Sequence, residues 1–457
     1  MPKISQKMPE VIKIKKGFNI RIKGKAEKVY FNAKRAEEYA VKPTDFYGII
    51  PKMLVEEGET VKTGAPLFHD KNNQKIIFTS PVSGHISRIV RGEQRKILEI
   101  VIKASEADDY INFNANDPVK LNREEIIEKL LISGIWPFIR QRPYSIIANP
   151  SDIPKSIFIS AFDTSPLAPD IDFIVRNEDE NFQTGINALA KLTNGKIHLN
   201  VNANYPVASI FAKTKGVEIN YFKGPHPAGN VGIQIHHIDP INKGDIVWYL
   251  YPQDVIIIGK LFNKGIFDST RIIAVTGSEI IKPKYYKCNI GINITELTRD
   301  NVKQGNNRYI SGNVLTGTKI AKDGFLSFYD SQLTVIPEGN YHEFLGWLRP
   351  GFHKYSFSRT FFSWLTPDRE YRLDTNTHGG QRAFVMTGQY EKVLPMDIYP
   401  MQLLKAIIIE DIDLMEKLGI YEVSEEDFAL CEFICTSKYD IMNIIRKGLD
   451  LVRKEMS

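Results

Sequence analysis

The chain has 457 residues, 43% of them hydrophobic and 25% charged, with Lys+Arg exceeding Asp+Glu by five. That length allows about three globular domains, each with a core of its own. The small charge excess excludes a dedicated nucleic-acid binder, and no nucleic-acid partner is expected. Three cysteines, Cys288, Cys431 and Cys435, argue for a reducing compartment rather than a disulfide scaffold.

Residues 1–40 are expected to form a basic N-terminal strand segment. Residues 1–28 hold nine Lys/Arg against two Glu, which suits a solvated basic strand or attraction to anionic headgroups or an acidic partner. Charges interrupt the first thirty residues, so no leader is expected. No window approaches eighteen uninterrupted apolar residues, so no transmembrane helix is expected either.

Residues 41–104 read as a compact barrel in two halves: "YGIIPKMLVEEGETVKTGAPLF", then "IIFTSPVSGHISRIV". Both look like half of a biotinyl/lipoyl hammerhead. The position of the modified lysine, eight residues before Pro81, is Asn73, flanked by Lys71 and Lys75. No covalent biotin or lipoyl group is expected. Residues 105–153 hold an acidic linker and a helix, with Asn122 and Glu125 as a capping-box pair, Ile126, Ile127, Leu130 and Leu131 as the apolar stripe, and a stop near Gly134.

Residues 154–262 alternate strand and helix: "SIFISAFD", "ENFQTGINALAKL", "KIHLNV", "YPVASIFAKTKG", "VEINYF" and "DVIIIG". The economical expectation is a Rossmann-like parallel sheet, with "DVIIIG" as its last strand. No G-x-G-x-x-G opens these helices and no Walker pattern occurs, so neither standard nucleotide site is supported. Residues 263–335 have the order of a small β-grasp unit, and 401–457 read as a helical domain with caps at Gly419 and Ser424. The overall class is multidomain α/β and α+β.

No complete catalytic set emerges, so no catalytic residue is assigned. "GPHPAGNVGIQIHHIDP" places His226, His236, His237 and Asp239 close in sequence, but not at the spacing of a metalloprotease or facial triad. With its second half taken as a strand, His236 and His237 point to opposite faces; one buried, hydrogen-bonded His in a Gly/Pro loop is the favoured reading. The Gly-rich run lies where a phosphate loop would lie, without the matching spacing. Cys431 and Cys435 fall i, i+4 on a helix and read as core thiols rather than half of a metal or iron–sulfur site, and no metal is expected.

One stretch has the chemistry of a ligand surface. "GIWPFIRQRPYS" (134–145) sets Trp136, Phe138 and Tyr144 beside Arg140 and Arg142. Aromatic walls and donors suit a quinone, a flat ring with two carbonyl acceptors. The competing reading closes a core with Trp136 and Phe138 and leaves both arginines solvated. Within the aromatic-rich segment 336–400, residues 338–364 hold nine aromatics, among them Tyr341, Tyr355, Phe357 and Phe362. Phe344, Trp347, Phe352, Phe361 and Trp364 are candidates for a partner interface, where aromatics are enriched.

Taken in order, "IKIKKGFNI", "FTSPVSGHISRIVRGEQR", "SGIWPFIRQRPYS", "FISAFDTSPLAPD", "GPHPAGNVGIQIHHIDP", "QDVIIIGKLF", "ISGNVLTGT", "FLGWLRPG" and "EEDFALCEFICTSKYD" resemble, nearly end to end, the A subunits of the bacterial Na+-translocating NADH:quinone oxidoreductases. The resemblance implies a peripheral subunit on the cytoplasmic face of the inner membrane. It implies an enzyme complex that passes electrons from NADH to ubiquinone or menaquinone and moves Na+ outward. Flavins and the iron–sulfur centre are then expected only in partner subunits, chiefly beside the integral-membrane quinone/flavin subunit. The same resemblance extends to the flavin-binding subunit of complex I and to the C subunit of the Rnf complex, which combine Rossmann-like, soluble-ligand-binding β-grasp (SLBB) and helical parts. The Gly-rich loops and the C-terminal Cys clusters of the complex I relative are missing here. Two other readings remain at this point: a stand-alone flavin-dependent oxidoreductase, and a pure assembly scaffold.

Overall fold

The computed structural model describes residues 10–346 and 348–456. The N-terminal barrel is two small sheets packed face to face. One is Glu38–Val41, Ile97–Ala104, Gly84–Arg91 and Thr60–Val61; the other is Pro51–Met53, Pro66–Asp70 and Ile77–Thr79. Leu67, Phe68, Phe78, Val82, Ile86, Ile100 and Ile102 fill the space between them. Asn73 lies in the turn joining Pro66–Asp70 to Ile77–Thr79, the hairpin tip expected from the carrier-like spacing.

The expected helix runs over Arg123–Ile132 and starts as its sequence predicts. Glu125 N donates to Asn122 Oδ1 (2.9 Å) and Asn122 N donates to Glu125 Oε2 (2.8 Å), so each residue satisfies an orphan amide of the other. Gly134 ends the turn with φ +70°, a value only glycine adopts cheaply.

The central sheet has seven strands in the order Val11–Lys13, Glu218–Lys223, Lys196–Asn202, Ser156–Ser160, Val247–Leu250, Arg140–Arg142, Ile146–Ile147. The first five are parallel, but Arg140–Arg142 runs antiparallel to both its neighbours. The sheet is therefore mixed, not the purely parallel one expected. The hairpin at 140–147 comes from outside the alternating strand–helix run, which is why that pattern did not contain it.

Every residue of Ser156–Ser160 is buried, because both faces of the sheet are covered. Ile157, Ile159, Trp248 and Leu250 face the helices Asp179–Leu189 and Pro252–Lys264, whereas Phe158, Val247 and Tyr249 face the C-terminal helices. The two covering helices approach closely: a Cβ on Gly259 would lie 1.7 Å from the Asn181 carbonyl oxygen.

"DVIIIG" is not a strand; it lies inside the helix Pro252–Lys264, and the last strand is Val247–Leu250. Residues 252–262 are buried all round, so the helix carries no polar stripe to betray its 3.6-residue period. Likewise Val231–Ile238 is a helix, so His236 and His237 are not on opposite faces of a strand. Their rings meet edge-on, with centroids 5.2 Å apart.

A second mixed sheet follows, ordered Thr318–Ile320, Asn307–Ser311, Gln332–Pro337, Thr270–Thr276, Lys284–Asn289, Glu27–Asn32, with the short helix Thr295–Thr298. Its last strand comes from the basic N-terminal segment, which thus completes one edge of each large sheet. The C-terminal unit comprises Pro400–Ile408, Ile412–Lys417, Glu425–Ile434 and Ile441–Glu455, with Gly419 at φ +87° and Ser424 in a capping box with Asp427.

Candidate functional site

In the order of the parallel strands, the chain reverses direction of growth between Ser156–Ser160 and Val247–Leu250. Parallel sheets leave a crevice outside the carboxyl ends of the strands at such a point. Here the strand ends carry Asp163, three residues beyond the first of these strands, and Tyr251, immediately beyond the second. Arg140 enters from the antiparallel strand, Tyr329 from the second sheet's approach to Gln332–Pro337, and Glu426 from the first turn of Glu425–Ile434.

Arg140, Tyr251, Tyr329 and Glu426 are partly exposed and Asp163 is exposed, so water reaches all five side chains. Desolvation raises the Asp163 carboxyl, although the Ser165 amide donates to it at 2.7 Å. Burial, opposed by Arg142 and aided by Asp427, pushes Glu426 up to about 7. The Tyr251 phenol is held protonated, first by burial and then by Glu426, and it also feels the charges of Arg140 and Asp163.

Arg140 is the cation of this crevice. Its guanidinium carbon lies 4.4 Å from the Tyr329 ring centroid, 4.7 Å from Tyr249 and 5.2 Å from Tyr251. Its Nε is buried without a hydrogen-bond partner, and no salt bridge reaches it among the described residues. A guanidinium so placed can donate to a carbonyl or anionic oxygen entering the crevice.

The other residues of 134–145 are placed differently. Trp136 and Phe138 are core side chains: Trp136 packs edge-on to Trp248 and donates from Nε1 to the Ala148 carbonyl (2.7 Å), and Phe138 stacks on Phe328 at 4.7 Å. They offer no wall to an open pocket. Nor is Arg142 solvated; its side chain is 0% exposed and paired with Glu426 (2.7 Å) and Asp427 (3.2 Å). Tyr144 is half-buried against Tyr421, and its carbonyl accepts from Arg446 (2.9 Å).

The Gly-rich turn 224–230 leads into Val231–Ile238, the helix N-terminus at which a phosphate would sit in a nucleotide-binding α/β domain. That place is filled from within. The Asp427 carboxylate lies against Gly232, where a Cβ would meet its oxygens at 2.5 and 2.7 Å, and Asn230 Nδ2 donates to the Glu426 carbonyl (3.0 Å). The sequence carried no signal of this, since the two partners are almost two hundred residues apart.

The histidines are structural. His226 is buried, shares a 3.2 Å hydrogen bond between Nδ1 and Thr164 Oγ1, and burial pulls its pKa down to about 3. His236 Nε2 accepts from the Asp397 amide (3.1 Å), so Nδ1 carries the proton donated to Glu422 (2.6 Å). His237 Nδ1 donates to the Ile233 carbonyl (2.8 Å), and Asp239 accepts from Ser156 Oγ (2.9 Å). No group of three or more His, Cys, Asp or Glu suited to a metal occurs among the described residues. Cys431 and Cys435 are buried, with the Tyr390 hydroxyl donating to Cys435 Sγ at 2.9 Å.

The aromatic segment is largely on the surface. Phe344 is 83% exposed, Phe352 53%, Phe362 52% and Trp364 50%, and Phe361 is half-buried beneath Lys354. Trp347 lies outside the described residues. Together these side chains leave a large apolar area exposed. No helix among the described residues is long and apolar enough to cross a membrane.

These features define a mixed α/β multidomain protein with a barrel-sandwich N-terminal domain, a C-terminal SLBB-like sheet and an exposed aromatic surface. The family models agree with this division: NqrA N-terminal barrel-sandwich hybrid domain over residues 12–105, NqrA second alpha/beta domain over 121–267, and NQRA C-terminal domain over 272–322. The chain is 40% identical to the Na(+)-translocating NADH-quinone reductase A subunit of Yersinia pestis bv. Antiqua (strain Angola), over 97% of this chain and all of that one. It is 39% identical to the A subunit of Pasteurella multocida (strain Pm70), with the same coverage, and 39% to that of Rhodopirellula baltica, over 97% of this chain and 98% of that one. The chain belongs to the family of Na+-translocating NADH-quinone reductase A subunits. Among solved structures, an NAD+-reducing [NiFe]-hydrogenase in the H2-reduced state aligns at 12% identity with a TM-score of 0.37, over 74% of this chain and 62% of that one; nothing is argued from that likeness.

Proposed function

We propose that this chain works as the A subunit of a Na+-translocating NADH:quinone reductase, peripheral to the cytoplasmic face of a bacterial inner membrane. The identity of 40% across 97% of the chain carries this reading. In it, flavins and the iron–sulfur centre belong to partner subunits, the α/β unit keeps a Rossmann-like layout and the second sheet a β-grasp one. The surface at Phe344, Phe352, Phe361 and Trp364 docks the integral-membrane quinone/flavin subunit.

The same reading brings the chain into contact with the ubiquinone or menaquinone head group, at the crevice rather than across 134–145 as a whole. Arg140 is the donor to one quinone carbonyl. Tyr251 and Glu426, both protonated up to about pH 7 or beyond, are donors within reach of the crevice for the other. Tyr329 and Tyr251 supply flat faces beside the guanidinium.

The test starts from the tagged chain in native-host membranes solubilised in mild detergent. Co-purification of flavin- and iron–sulfur-containing partners with Na+-stimulated, NADH-dependent quinone reduction is expected; a colourless chain alone would sink the subunit reading. For the crevice, Arg140→Gln should weaken binding of a short-chain quinone to the purified chain by about 10-fold or more, the worth of one charged hydrogen bond. Unchanged affinity in a folded variant would leave assembly as the role of this chain.

A further inference from the structure

The basic N-terminal strand does not stand apart from the aromatic segment. In and after the strand Val11–Lys13, Ile14, Ile20 and Ile22 are buried while Lys13, Lys15, Arg21 and Lys23 are exposed. The segment 355–371 packs directly on this strand. Phe18 stacks on Tyr355 at 5.3 Å and meets Phe357 edge-on at 5.1 Å. Lys23 N donates to the Tyr371 carbonyl (3.0 Å) and Tyr371 N to the Arg21 carbonyl (2.9 Å). Arg21 reaches Asp368 at 3.0 Å.

The side chains of Lys13, Lys15, Lys16 and Lys23 are exposed and have no salt bridge or hydrogen bond among the described residues. Beside them the packed segment continues into exposed Phe352, Phe362 and Trp364 and exposed Arg359. Exposed, unpaired cations match the chemistry of an anionic bilayer surface. Anionic headgroups attract lysines within about a Debye length.

We propose that the exposed lysines at 13–23 seat on the anionic headgroups of a lipid bilayer, leaving the aromatic surface beside them to the partner. It rests on the reading of the chain as a peripheral subunit beside an integral-membrane partner, whose surroundings are lipid. The lysine edge sets the chain's height and orientation at the membrane while the aromatic surface meets the partner.

The test is flotation of the full-length chain with vesicles of phosphatidylcholine mixed with phosphatidylglycerol, against vesicles of phosphatidylcholine alone. The chain should float with the first at low salt, be released by high salt, and stay behind with the second. Replacing Lys13, Lys15, Lys16 and Lys23 by Gln should weaken vesicle binding by about fivefold per lysine removed, with an unchanged melting temperature because all four are exposed. Equal flotation of the wild type on both vesicles, or of the variant and the wild type, would overturn the inference. So would a variant that floats normally but no longer co-purifies with partners from detergent, since the edge would then serve a protein. A wild type that floats as expected but brings down no partners would instead fault the subunit reading alone.

Discussion

Glu426 shows how one side chain's setting overrides its type. A glutamate in the first turn of a helix ordinarily stays ionised, favoured by the helix dipole. This one is half-buried beside Asp427, and burial pushes it up to about 7 despite its 2.7 Å pair with Arg142. A carboxyl raised in the folded state costs nothing below its unfolded value near 4.5, and destabilises progressively as pH rises from there to about 7. Glu426→Gln should therefore flatten the loss of stability between about pH 4.5 and 7, by at most about 3 kcal/mol, in urea melts across that range. An identical slope in variant and wild type would refute the assignment. The sequence read Arg142 as a ligand donor or a solvated charge; neither is right, because both its carboxylates come from a helix some 280 residues away. Arg140, two residues earlier on the same strand, escapes such pairing.

At the scale of elements, local signals were reliable wherever one face of the element meets water. The helix Arg123–Ile132 has such a face, and its start was legible in Asn122 and Glu125 alone. Asn122→Ala should cost about 1 kcal/mol, read as a shift of the denaturation midpoint, because the cap accepts an otherwise orphan amide. A shift under about 0.3 kcal/mol would mean that the buried stripe at Ile126 and Leu130 holds the helix unaided. The helix Pro252–Lys264 shows where such signals stop. Sheet, second helix and neighbouring unit bury it on every side, so its apolar run "VIII" has no period and reads as a strand. "VWYL", the strand itself, is only four residues and was passed over.

Across the whole molecule, the C-terminal helices are held to the central α/β unit by a contact that imitates a bound anion. Asp427 lies against Gly232 in the first turn of Val231–Ile238, and buried Arg142 pairs with it from the antiparallel strand Arg140–Arg142. Gly232→Ala tests the fit: alanine favours a helix by about 1 kcal/mol over glycine, so a neutral site should gain stability. Here the new Cβ would collide with the carboxylate, and a net loss of about 1–3 kcal/mol in thermal or urea unfolding is expected. Stabilisation by the alanine would show that the carboxylate moves aside without cost. The filled position also gives a physical reason why a Gly-rich turn in a nucleotide-type place need not hold a nucleotide.

Read alone, the sequence determined the elements whose burial is one-sided, the barrel with Asn73 at its tip, the presence of one buried histidine in the Gly/Pro loop and, through the order of its motifs, the family. Those depend on residues within a few positions of one another, or on similarity accumulated along the whole chain. Only the tertiary structure decided that the central sheet is mixed, that Trp136 and Phe138 belong to the core, that Arg142 rather than Arg140 is taken up by ion pairs, and that Asp427 occupies the helix end at Gly232. Each of these turns on groups far apart in the chain, brought together by packing of one unit on another, and no local periodicity or capping preference carries that information.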